Sequence, residues 1–96
     1  MIARVFALLV DAEAEIGCGY PAGERHHLIV LVPADSAEEA AAEAMLALTD
    51  RHWCGGEVRQ IDRFSVPLES VGDPVMREAA ARAFAGDRAI IVYDRP

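Results

Sequence analysis

The chain has 96 residues, of which 53% are hydrophobic and 26% charged. That suffices for one compact domain, is too rich in aliphatics for a disordered or low-complexity polymer, and leaves no room for a multidomain machine. The formal net charge is −7, and all nine basic residues are arginines scattered singly along the chain, which argues against nucleic acid or an anionic membrane surface as a partner.

Residues 2–10 are β-branched and aromatic at the start and too short for a helix; they predict a strand. Residues 11–25 carry Gly17, Gly19, Pro21 and Gly23 and read as a long loop, functional or mobile, since its length exceeds the usual connection. Residues 27–34 form the clearest strand, closed by Pro33, which cannot donate to a ladder. Helix one follows. Ser36 is its expected N-cap with Glu39 in the capping-box position, Ala37, Ala41, Ala44, Met45 and Leu48 form its apolar stripe, and it ends near His52.

Residues 57–68 are strand-like but do not alternate cleanly, because Val58, Ile61 and Phe64 are three apart. One bulged strand or a short hairpin at Asp62-Arg63 would account for this spacing, and the charges suggest a sheet edge. Asp73 and Pro74 supply the N-cap and first residue of helix two. Val75, Met76, Ala79, Ala80, Ala83 and Phe84 form its stripe, and Gly86 is its stop. Residues 89–94 predict a last strand.

The order β-β-α-β-α-β predicts an α+β fold: a two-layer sandwich in the general ferredoxin-like style, with a four-stranded mixed sheet and both helices on one face. In strand 27–34 the side chains His27, Ile29 and Leu31 alternate with Leu28, Val30 and Val32, so both faces are apolar. With both helices on one side, the second face would expose an apolar patch. A homodimer through that face is the expected cover.

Few residues offer catalytic chemistry. There is no Asn or Lys, and Ser, Thr and Gln together number only five, Ser36, Ser65, Ser70, Thr49 and Gln60, few for a substrate-orienting site. His26 and His27 are adjacent and point to opposite faces of a strand, and His52-x-Cys54 lacks a matching second pair, so neither a metal nor another cofactor is expected. Cys18, between two glycines, is a candidate thiol if Arg25, His26 or His27 lies near it. Tyr20, Pro21 and Arg25 are candidate contact residues of the loop. Carboxylate pairs, Asp11 and Glu13 among them, read as solvated charge on loops and helix starts.

Three functional readings follow. The first is a small non-catalytic interaction or ligand-binding module acting as a homodimer. The second is an acidic domain of the immunity or antitoxin type, steered by its charge to a basic protein. The third is a small enzyme on a dimeric α+β barrel, with a pocket lined by His27, Trp53 and Tyr93. The apolar run Val5 to Val10 runs directly into Asp11 and Glu13 without a leader-type cleavage site, and no run approaches the length of a membrane span. A cytoplasmic location with reduced thiols is expected.

Overall fold

A computed structural model describes residues 4–93. Residues 2 and 3 of the first predicted strand and residue 94 of the last lie outside the described residues. The elements are β1 (Val5–Ala14), β2 (Arg25–Pro33), α1 (Ala37–Asp50), β3 (Trp53–Arg63), a 3-10 turn (Leu68–Ser70), α2 (Pro74–Phe84) and β4 (Ala89–Tyr93). They build an α+β domain around one four-stranded sheet of order β3-β1-β2-β4.

The sheet is not mixed. Every neighbouring pair is antiparallel; β2 and β3 run parallel but are separated by β1, which fills the place between them. Asp11 to Ala14 continue β1 rather than opening a loop, and Asp11 pairs with His27 and Glu13 with Arg25 in the β1–β2 hairpin. Only residues 15–24 remain irregular. Within the 57–68 segment there is one bulged strand rather than a hairpin; it starts earlier, at Trp53, and ends at Arg63, short of the predicted residue 68. Its ladder to β1 shifts register between Leu9 and Val10 and again between Asp11 and Glu13. Without a hairpin there, the chain does not complete the β-α-β-β-α-β pattern.

The two helices lie on opposite faces, so the architecture is three-layered rather than two-layered. Phe6, Leu8 and Val10 of β1 and Leu28, Val30 and Val32 of β2 pack with Ala40, Ala44, Ala47 and Leu48 of α1. Val5, Ile29, Leu31 and Ala89 project to the other side and pack with Ala79, Ala80 and Ala83 of α2. The apolar residues on both faces of β1 and β2 thus each find a helix, which is the physical reason the helices divide. Alanine stripes let each helix lie close to the sheet.

Local signals place both helices. Ser36 Oγ accepts from Glu39 N at 3.1 Å, and Asp73 Oδ1 accepts from Val75 N at 2.9 Å ahead of Pro74. Beyond Phe84 the chain closes in a Schellman arrangement. Gly86 N donates to Ala83 O and Asp87 N to Arg82 O, with Gly86 at φ +99°, a conformation only glycine adopts freely. The buried stripe of α1 is turned slightly from the predicted one: Ala40 and Ala47 are buried, whereas Ala37 is exposed. Val75 of α2 is likewise exposed. Between β3 and α2 the chain passes to the second face, where Phe64 N donates to Val5 O at 2.8 Å. Arg77 donates twice to Val71 O, at 3.0 and 2.7 Å, and pins that crossing.

Candidate functional site

The second helix covers only part of its face. It packs over β4, β2 and the start of β1, leaving open the part of the sheet where the end of β1, the start of β2 and the middle of β3 lie side by side. Leu9, on a central strand, points into this gap and is 41% exposed.

Beside Leu9 stands Asp11, a buried charged residue. Strand alternation puts it on the open face, and the hairpin register sets His27 directly opposite. On its other flank the bulge makes Arg59 the extra residue between Val58, which faces Val10, and Gln60, which faces Leu9. A bulge re-aims the side chain it inserts, and here it turns Arg59 onto Asp11. His27 Nδ1 lies 2.6 Å from Asp11 Oδ1, and Arg59 Nε donates to Asp11 Oδ2 at 2.7 Å. The Asp11 side chain is 13% exposed, whereas those of His27 and Arg59 are 57% and 61% exposed.

The hydrogen bond from His27, then that from Arg59, holds the Asp11 carboxyl below its ordinary range, against the opposing push of burial. Asp11 in turn raises Arg59 above the usual guanidinium value. An ionised carboxylate only accepts, so Nδ1 carries the shared proton and Nε2 is left facing outward. The three side chains, with Leu9, Val10 and Leu28, line a hollow of about 280 Å³ that is mostly apolar in surface.

This geometry has a consequence for acid stability. A carboxyl with a lowered folded value contributes stability above its unfolded pKa and loses it as pH falls through the folded value. Asp11→Asn is therefore expected to be less stable than the parent by about 1 kcal/mol near neutral pH. The gap should close as the pH falls from about 4 towards 2. Urea midpoints of both proteins measured across that range check it; a gap independent of pH would contradict it.

The sequence candidates fall into two places. Arg25 and His27 lie on the open face, Arg25 donating to Gly55 O at 3.1 Å and to Glu57 Oε1 at 3.4 Å. Tyr93 pairs with His27 in the β2–β4 register; its side chain lies outside what is described. Cys18, Tyr20 and Trp53 pack instead against the α1 core. There the rings of Tyr20, His26 and Trp53 meet, with centroids 4.8 Å (Tyr20–His26), 5.7 Å (Tyr20–Trp53) and 5.6 Å (His26–Trp53) apart. Tyr20 N donates to Cys18 Sγ at 3.4 Å, so Cys18 helps fold the 15–24 loop onto the domain. Since His27 and Trp53 occupy opposite faces, no single pocket is lined by His27, Trp53 and Tyr93. Burial, then the carboxylates of Glu15 and Glu13, pushes the Cys54 thiol up, away from nucleophilic character.

Asp11 and Arg59 were not singled out by sequence reasoning. Asp11 read as loop charge because the glycines downstream drew the loop boundary too early. Its signal was available in the hairpin register, since extending β1 to Ala14 sets Asp11 opposite His27. Arg59 had no comparable signal, because its aim depends on a bulge of unspecified position.

Among the described residues, no group of three or more His, Cys, Asp and Glu is placed to hold a metal ion. No helix there is long and apolar enough to cross a membrane. No family model, curated protein or solved structure matches the chain.

Proposed function

We propose that this chain is a small, non-catalytic, cytoplasmic binding module that works as a homodimer through the open part of its second sheet face. The observation that supports this most is Leu9. It is 41% exposed on a central strand, facing outward between a buried ion cluster and a helix edge. The charges around it favour a second copy as the cover. Glu13, Asp11 and Glu57 interleave with Arg25 and Arg59 on this face, so positive and negative positions can exchange across a two-fold axis. With Asp62, opposite Ala7 on the same face, four carboxylates stand there against two arginines, a small share of the −7 that the whole chain carries. Two acidic molecules meet most easily where their local charge is close to neutral. Stacked this way, one copy roofs the hollow of the other.

A basic protein partner, the charge-steered alternative, would find most of its acidic complement on other surfaces, since this face holds only a small part of the chain's −7.

Size-exclusion chromatography with light scattering, across a concentration series, tests the reading. The parent should run as a dimer, and Leu9→Arg, which places a third arginine at the centre of the patch, should weaken association by about a hundredfold or more while leaving the far-UV spectrum unchanged. A parent that stays monomeric at every concentration would sink it.

A further inference from the structure

We propose that the hollow at Leu9, Asp11, His27 and Arg59 takes a small carboxylic acid with a short hydrocarbon tail, its carboxylate held by His27 and Arg59 and its tail on Leu9. This rests on the open face being the recognition surface, but not on the dimer.

The geometry of the donors carries the assignment. Arg59 spends Nε on Asp11, at 2.7 Å. This fixes the guanidinium plane, so that its terminal nitrogens present the outer edge, whose fork matches a carboxylate. His27 spends Nδ1 on the same Asp11, at 2.6 Å. Its Nε2 faces out and donates to an anion once the ring is protonated, taking that proton from solvent. One largely buried carboxylate thus positions two donors from different strands towards one open space, with most of each donor side chain still accessible. Asp11 is a positioning residue, and the bulge at Arg59 is what brings the second donor to it.

Two features decide what kind of anion fits. The hollow is mostly apolar in surface, with Leu9 as the aliphatic side chain that opens onto it, since Val10 and Leu28 turn theirs into the α1 core; a hydrocarbon tail therefore gains there where a bare phosphate would not. Among the described residues, the titratable and charged groups sharing the face are Asp11, Glu13, Glu57, Asp62, Arg25, Arg59, His27 and Cys54, and four carboxylates against two arginines suit a monoanion better than a dianion. The volume, about 280 Å³, is at the lower end for a ligand site and fits a short acid rather than a long lipid chain.

Calorimetric titration of the full chain with hexanoate tests the proposal, with hexanamide and acetate as comparisons. Saturable binding is expected, at least about tenfold weaker for neutral hexanamide and for tail-less acetate. Arg59→Gln and His27→Gln change exposed side chains and should retain the fold, as circular dichroism would verify. Each is expected to weaken hexanoate by about tenfold. The proposal is overturned if hexanoate does not saturate, if hexanamide binds equally, or if both variants bind like the parent. A monomer that binds hexanoate keeps this proposal and loses the dimer; a dimer that does not bind it does the reverse.

Discussion

Leu8→Ala is expected to lower the unfolding free energy by about 2–5 kcal/mol, whereas Leu9→Ala, one residue along the same strand, should cost less than about 1 kcal/mol. Leu8 is fully buried in the centre of the first core cluster, between the sheet and α1. Truncating it removes apolar burial and leaves a cavity that a sheet with both neighbours paired closes poorly. A chain of this length has a total stability of roughly 5–14 kcal/mol, so the Leu8 change could remove half of it. Leu9 pairs with Ile29 and Gln60 in the same ladders but faces the uncovered gap, where solvent fills the space that a shorter side chain leaves. Urea unfolding at low protein concentration, where association does not contribute, measures both. Equal losses would mean that Leu9 is covered within the single chain, which would remove the basis for the dimer.

Trp53→Ala is the second large effect, about 3–5 kcal/mol. Trp53 opens β3 opposite Ala14 and is buried in the α1 core cluster. Its ring also carries the contacts with Tyr20 and His26 that hold the 15–24 loop against the domain, a geometry worth about 0.5–1.5 kcal/mol beyond area. The residue is the only tryptophan in the chain, so the variant must be followed by circular dichroism rather than fluorescence. Loss of the ring should also unseat Cys18, which is half-buried and packs on the same cluster; its reaction with a thiol reagent is expected to accelerate. A stability change below about 1 kcal/mol, with unchanged thiol reactivity, would show that the loop is held by other means.

Much of the secondary structure was legible because its signals are local. Ser36 and Asp73 cap through their own side chains, and Gly86 adopts the φ its helix end requires. The apolar alternation in β2 likewise revealed a strand with two buried faces. What that alternation could not reveal is which helix goes to which face. That choice is made over long range, by β3 taking the far side of β1 and by Phe64 and Arg77 guiding the chain under the sheet. Placing both helices together left a whole face bare; placing them apart leaves a smaller gap, but one with a charged cluster in it. The cluster combines three strands, and its Arg59 depends on a bulge that clean alternation would have excluded. Asp11 was therefore readable only in retrospect from pairing, and Arg59 only from the folded structure.

The central proposal is that the open part of the second face is the working surface. It is tested most directly by recording amide and methyl chemical shifts over a dilution series, from conditions favouring association to conditions favouring the single chain. Concentration-dependent shifts are expected, centred on the Leu9 methyls and the amides of Asp11, His27 and Arg59, with the outer face of α1 unmoved. Shifts centred on α1 or on the Tyr20–Trp53 end, or none over the whole series, would contradict it.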